Sequence, residues 1–462
     1  MYRSQKICIK RTNEMYDYFK QMSYDVTNLY NQTLYYIRQY ATAKDSFENY
    51  CPLHANQLDV FTIVENITKD TKYSPKKKWL TYTQLDYIFK KTNNVFYRAL
   101  PTQTSQNIIK LALRDINSFF EQMKSYKKNP SAFTGKPHLP HYKKREVLST
   151  IVYSNQDCVF QQEKFLKFPF TKNKLNVGKL SQVGQLMEVK VKGYFDYFEV
   201  NLVLDCDCFD SSIENDTKNE DLLNEYKEQT TINERALSID IGLSNLCAIT
   251  NNFNVTPIII NGKPLKSINQ QYNKQLANIK RIAKIQNKSD YTHLMSTITR
   301  KRNSRVLDYM HKTSHYIVNY AKENNVSLVV IGHSNYWKQE IELGKVTNQN
   351  FVSVPFNLLI QLLTYKLQAQ GIKVVITEES YTSKASFVDG DSMPIYNAKE
   401  NNPQVYVFSG KRIKRGLYRT KNGLLINADI NGAANILRKV FPKVRQWDSG
   451  CVATPVVANI PF

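Results

Sequence analysis

Four acidic side chains stand at the ends of apolar runs, where strands and helices give out. Asp240 follows Ala-Leu-Ser-Ile at 236–239 and precedes Ile241-Gly242. The carboxyl end of a buried strand is where open α/β sheets place their active sites, although an aspartate there also serves simply to turn the chain. Glu378 and Glu379 close the run 373–377, KVVIT. Adjacent acids at such an end are costly unless solvated, paired or metal-bound. Strand alternation sends the two to opposite faces, so only one can join Asp240. Asp429 opens the segment 427–440, NADINGAANILRKV. As a helix cap it would need no further role, but Gly432, Ala433 and Ala434 let this helix pack closely on a sheet and hold Asp429 at its rim. Three carboxylates on three core elements suit hard divalent cations such as two Mg²⁺ ions. Two metals about 3.5–4 Å apart serve phosphodiester hydrolysis by activating water and stabilising the leaving oxygen.

Bringing these acids together requires strands with helices between them. Periodicity predicts strands at 236–239, 254–260, 327–331 and 372–377. Two long basic helices are predicted between 268 and 324, and further helices over 355–370 and 431–440. That alternation implies an α/β fold with a mostly parallel sheet covered on both faces. Upstream, 12–45 and 82–126 read as helices, the second broken at Leu100-Pro101, with a polar loop over 48–78. Residues 149–204 alternate with period two, the mark of a small antiparallel β-module. Residues 205–229 carry nine acids against two lysines, which implies a solvated linker and a boundary near 235.

The 462-residue chain carries 63 Lys and Arg against 40 Asp and Glu, a formal charge of +23. Such a surplus disfavours an ordinary small-metabolite enzyme and favours a polyanionic partner, nucleic acid before membrane. No apolar run approaches a membrane span, and the start, MYRSQKICIK, has no signal core. The seven cysteines include no CxxC pair. This usage fits free thiols in a reducing cytoplasm, with neither a disulfide framework nor a structural zinc site.

Three C-terminal motifs resemble the TnpB family of transposon-encoded RNA-guided nucleases: SIDIGLSNLCAIT, ESYTSKASF and NADINGAANI, in that order. The stretches RALPTQTSQ, SLVVIGHSNYWKQ and FNLLIQLLTYKLQAQGIKVV also resemble it, so the likeness runs over residues 85–440. Fanzor proteins and, more remotely, type V CRISPR effectors share the core. The resemblance implies an RNase H-like RuvC nuclease domain with an N-terminal wedge β-barrel carrying a helical recognition insert. On this chain the wedge would be 1–12 and 146–205, the recognition insert 13–145, the acidic linker 206–235 and the nuclease domain 236–462. A target-strand-binding insert would occupy 386–426. Also implied are a guide (omega-type) RNA, double-stranded target DNA, Mg²⁺ and cleavage beside a short transposon-adjacent motif. The place of action would be the nucleoid, or the nucleus of a eukaryotic host.

Two departures stand out. The family's usual glutamate follows the strand matching SLVVI, and here that position is Gly332. Some members resemble a rearranged pattern with the glutamate just before the TSK segment, which assigns the metal site to Asp240, Glu379 and Asp429. Glu378 is the alternative acid, and a nuclease-dead RNA-guided repressor is the alternative function. The insert also lacks the family's zinc cysteines. It offers Lys411, Arg412, Lys414 and Arg415 among Tyr406, Phe408 and Tyr418, a mix suited to phosphate neutralisation and base stacking. Further expected nucleic-acid contacts are Lys136, Lys143, Lys144 and Arg145 among prolines, Arg300 and Arg302 on a helix, Trp337, and Lys384 in the TSK segment. A solvated basic surface accounts for several of these as simply.

Overall fold

The computed structural model describes residues 2–144, 146–182, 184–205, 219–286, 291–333, 353–394, 406–414, 416–444, 452 and 454–461. The chain forms two units, Met1–Phe209 and Asp210–Phe462.

In the first unit, strand β1 (Tyr2–Lys10) precedes helices α1 (Tyr16–Glu48), α2 (Ala55–Thr68), α3 (Tyr82–Lys91), α4 (Val95–Arg98) and α5 (Thr102–Lys128). Strands β2 (Ile151–Ser154), β3 (Val159–Gln161), β4 (Phe165–Lys167), β5 (Lys174–Asn176), β6 (Gln185–Gly193) and β7 (Tyr197–Asp205) follow. β1 pairs antiparallel with β7, giving a four-stranded sheet in the order β1-β7-β6-β2, and β3-β4-β5 form a second sheet. α1 buries Tyr16, Phe19, Met22, Val26, Leu29, Tyr30, Leu34 and Ile37, spaced three to four apart as one helical face requires. Phe19 meets Phe168 edge-on at 5.1 Å and Phe198 at 6.0 Å, tying the helix to both sheets. The helical break falls at Pro101, just before α5, as its missing N–H dictates. The expected polar loop over 48–78 instead contains α2, started by a capping box in which the His54 N–H donates to Gln57 Oε1 at 2.8 Å.

The second unit is mixed α/β. It contains α6 (Asn219–Glu228), β8 (Ala236–Ile241), β9 (Asn245–Asn251), β10 (Ile258–Asn261), α7 (Lys263–Ile285), α8 (His293–Glu323) and β11 (Leu328–Gly332). There follow α9 (Phe356–Gln368), β12 (Lys373–Thr377), β13 (Lys411–Lys414), β14 (Leu417–Arg419), β15 (Leu425–Asn427), α10 (Ala428–Val440) and β16 (Val456–Ala458). The main sheet runs β12-β11-β8-β9-β10-β16. β12, β11 and β8 are parallel and β10 pairs parallel with β16, while β9 runs antiparallel to both its neighbours. Five of the six strands therefore run the same way, as the mostly parallel expectation has it. β9 was not foreseen; a tight turn joins it to β8 in a hairpin.

Both sheet faces are covered. Leu237, Ile239, Val329 and Ile331 join the core with Leu359 and Leu363 of α9 and Ile317 of α8. Ala236, Leu328, Val330 and Val375 pack under Ile436, Leu437 and Val440 of α10 and Tyr226 of α6. Part of the expected solvated linker is therefore helix α6, with Asn219 bonded both ways to the backbone of Ile376 at 2.9 and 2.7 Å; residues 206–218 lie outside the described residues. The basic insert contains the small sheet β13-β14-β15. Among the described residues no helix is long and apolar enough to cross a membrane.

Because Phe19 is fully buried between aromatic rings of both small sheets, Phe19→Ala should cost the first unit about 3–5 kcal/mol. The check is a shift of its denaturant midpoint.

Candidate active site

Sheet parity decides which side chains can meet. Gly332 pairs with Thr377 across β11-β12, and Val330 with Ser238 across β11-β8. Partners in register share a face, so residues 236, 238 and 240, residues 328, 330 and 332, and residues 373, 375 and 377 all look the same way. That is the α10 face. Ser238 Oγ donates to the carbonyl of Ala433 at 2.7 Å, pinning β8 to the helix. One step on, a Cβ built on Gly432 would lie only 2.7 Å from Asp240 Oδ2. The glycine is what lets the carboxylate lie against α10.

Asp429 is in the first turn of α10, but it is not the cap. Asn427 caps the helix, its Oδ1 accepting from the N–H groups of Asp429 and Ile430 at 3.0 and 3.1 Å. Asp429 is thereby released from the plainer role of an N-cap. Its Oδ2 accepts from Asn245 Nδ2 at 2.6 Å and its Oδ1 from Arg412 Nη2 at 2.9 Å. A cleft of about 100 Å³ is lined by Asp240, Asp429, Arg412 and the β8-β9 turn of Gly242, Leu243, Ser244 and Asn245.

Glu379 continues the parity of Val375 and Thr377. β12 lies two strands from β8, roughly 9–10 Å across, with β11 between them. The intervening residue is Gly332. A Cβ there would lie 2.4 Å from Cδ1 of Ile436 and 3.4 Å from Glu379 Oε2. A side chain at this position would press on Ile436, and the Glu379 carboxylate leans over it. Glu378 goes elsewhere, into an ion pair with Lys439.

The segment after β12 is fastened to α10 by two fully buried asparagines. Asn431 Nδ2 donates to Ala385 O at 2.8 Å, and its Oδ1 accepts from the Phe387 N–H at 3.0 Å. Asn435 Nδ2 donates to Thr382 O at 2.9 Å and Ala385 O at 2.8 Å. Tyr381, within the segment, adopts φ +64°. Such backbone persists where surroundings over-determine it, and the two staples supply that constraint. Sequence reasoning missed Asn245, Asn431 and Asn435. The signal was present: two amides four residues apart on a helix otherwise lined with Ala, Gly and Ile.

Electrostatics mark the cluster. Burial pushes Asp240 up to about 8, reinforced by Glu379 and then Asp429, with the Arg412 guanidinium opposing. Carboxylates gathered this way demand a cation. Among the described residues, no three His, Cys, Asp or Glu side chains are arranged to hold a metal ion as they stand. The cation beside Asp429 is Arg412. An all-oxygen donor set with an arginine standing in for positive charge fits a hard divalent ion.

The other expected contacts separate into groups. Lys411, Arg412 and Lys414 are exposed along β13, Lys384 is exposed beside Tyr381, and Lys136 and Lys144 are exposed in the first unit. Arg300 is half-buried on α8. Lys143 is engaged within the fold, its Nζ 4.1 Å from the Tyr30 ring centroid and 3.2 Å from Ser149 Oγ. Arg302 is also engaged, donating to Asn269 Oδ1 at 2.8 Å and to the Ser353 carbonyl at 2.5 Å. Neither side chain is held ready for a phosphate. Arg145, Trp337 and Arg415 lie outside the described residues. In the insert, where zinc cysteines were missing, Asp391 accepts from the N–H groups of Ser386 at 2.7 Å and Ser409 at 3.1 Å. Asp389 accepts from Ser386 Oγ at 2.5 Å and the Lys421 N–H at 2.9 Å.

Residues 212–337 match the family model OrfB_IS605, described as a probable transposase, and residues 356–436 match that of the Cas12f1-like TNB domain. The resemblance to the TnpB family stands. None of the curated proteins matches the chain. Among solved structures, a Cas12f1–sgRNA–target DNA complex matches at 16% identity and a TM-score of 0.32, over 94% of this chain and 98% of that one. A CRISPR-Cas12f ternary complex matches at 14% and 0.31, over 93% and 82%. Alicyclobacillus acidoterrestris C2c1 in complex with single-guide RNA matches at 8% and 0.35, over 92% and 70%.

Two predictions follow from this geometry. Gly332→Ala overpacks against Ile436 and should cost about 1–3 kcal/mol, read by chemical denaturation. Asp240 in the cation-free fold keeps its proton up to about pH 8, whereas in the unfolded chain it loses it in the ordinary carboxylate range. The stability penalty therefore grows as pH rises between those values and is complete above them. Asp240→Asn should leave Tm unchanged in acid and raise it above pH 8, and a Tm–pH series of both proteins checks the sign.

Proposed function

We propose that this chain is an RNA-guided, Mg²⁺-dependent DNA endonuclease of the TnpB and Fanzor kind. The observation that supports the reading is a cleft lined by Asp240 and Asp429, with the Glu379 carboxylate over Gly332 and near enough to raise Asp240, in regions matching a probable transposase and a Cas12f1-like TNB domain. Residues 236–462 of the second unit are read as an RNase H-like RuvC nuclease domain, with 386–426 as the target-strand-binding insert. The insertion of α1–α5 between β1 and β2 of one sheet supports a wedge module (1–12 and 146–205) carrying a recognition insert (13–145). Residues 206–235 join the two.

Asp240, Glu379 and Asp429 would hold the Mg²⁺, which when bound supplies activation of water and stabilisation of the leaving oxygen. The chain's own residues do the rest. Asn245 holds Asp429 Oδ2, and the N-terminus of α10 places a positive dipole end beside the same carboxylate. Asp240 would hold a cation only in its ionised form, and burial keeps it protonated up to about pH 8. Arg412, paired with Asp429, holds the place that a cation would take beside that carboxylate. Guide pairing would select the target, the protein reading duplex shape and a short flanking motif. The exposed cations of β13, with Lys384, would neutralise phosphates.

A nuclease-dead, RNA-guided binding protein is the second reading, favoured by Gly332 and by the Arg412–Asp429 pair. One experiment separates the two: plasmid cleavage in Mg²⁺ by protein purified with its own transposon-end RNA. Asp240→Asn, Glu379→Gln and Asp429→Asn should each lose more than the about 10–100-fold that removal of an outer-shell partner costs, while RNA-dependent DNA binding persists. Intact binding with no cleavage by the wild type would establish the second reading.

A further inference from the structure

Glu378 and Glu379 leave β12 side by side and end in different surroundings. The last bond tying the strand end to its neighbour is the His333 N–H to the Thr377 carbonyl, 2.9 Å. Beyond it the strand pairing ends, and the parity that turns Glu379 toward Asp240 is held by tertiary contacts. Lys439 Nζ forms an ion pair with Glu378 Oε1, and the Ser380 N–H donates to Glu378 Oε2 at 2.7 Å. The Lys439 side chain is 7% exposed, and burial lowers its proton affinity. An ammonium so placed is costly without its partner, so the pair holds as a unit.

Lys439 sits on α10, the helix that also carries Asp429, about 15 Å along it. One rigid body therefore carries the third acid at its start and the clamp on the neighbouring glutamate near its end. Asn431 and Asn435, between them, fasten the segment that follows.

We propose that Lys439 is a positioning residue: by holding Glu378, it makes Glu379 the one of two adjacent carboxylates that meets Asp240. This inference rests on the nuclease reading above. Released from Lys439, the strand end that bears both glutamates would lose its anchor, so Glu379 would no longer be held over Gly332 and Glu378 would be free to reach the cation.

The test measures Mn²⁺ binding by the purified full-length protein by calorimetry, alongside cleavage by its RNA complex. Lys439→Met should weaken Mn²⁺ affinity by about 10–100-fold and slow cleavage with it, while Lys439→Arg keeps both within about threefold of wild type, well inside that range. Glu379→Gln/Lys439→Met should bind Mn²⁺ more tightly than Glu379→Gln alone, because the freed Glu378 enters the site; a merely structural lysine gives no such gain. Should Lys439→Met fail to fold, Glu378→Gln/Lys439→Met, which leaves no buried unpaired charge, should show the same loss of affinity. Unchanged Mn²⁺ affinity in either variant, or a double variant no better than Glu379→Gln, overturns the clamp alone. Wild-type protein that binds no Mn²⁺ overturns the metal site and the clamp together.

Discussion

Burial of Asp240 close to two further carboxylates is the constraint on which the site of the second unit depends. Asp240 is desolvated and faces Glu379 and Asp429, which is why its proton is held to about pH 8. Nothing in an apolar core compensates such a cluster; positive charge and donated hydrogen bonds must be built around it. The surroundings supply them piece by piece. Arg412 and Asn245 take the two oxygens of Asp429, and Lys439 pairs with the fourth acid, Glu378. Each device fixes a different element, so the cost of gathering the acids is also what specifies how the elements dock.

Glycine does a second share of the work, by absence. Gly432 lets Asp240 lie against α10, and Gly332 leaves the gap over which Glu379 leans. An acid on the outer strand β12 has two strand spacings to cross. A glutamate crosses them only if the middle strand presents no side chain at its end. On the proposed reading the departure at Gly332 and the acid at Glu379 are one feature seen twice, a carboxylate moved one strand outward.

Much of this was legible in the sequence because period and caps report local physics. α1, α8 and the strands β8, β11 and β12 carry uninterrupted patterns, and Pro101 marks its break unaided. What was not legible depended on partners far along the chain. α2 buries only Val60, Val64 and Thr68, too thin a stripe to stand out from its polar flanks. β9 follows β8 after a turn too short to separate two apolar runs. The strand β13 is exposed along its whole length, so only its pairing defines it. The two adjacent glutamates are chemically identical in sequence and are told apart by Gly332 and Lys439. Counting bases could not tell Arg302, bonded to Asn269 and Ser353, from the exposed cations of β13.

Arg412 links the two halves of the proposed chemistry. It belongs to β13, alongside Lys411 and Lys414, on the face of the insert that offers charge outward. Its guanidinium is nonetheless turned inward to Asp429. A guanidinium has one fork, and a carboxylate and a phosphate are both suited to it. It cannot serve both at once. With no phosphate near, Asp429 is the better partner, and the pair lowers the field at Asp240 while filling the place a divalent ion needs. On the proposed reading, a phosphate backbone along β13 would offer Arg412 a second anion, and its departure would return a full negative charge to Asp429, the carboxylate that would hold the cation.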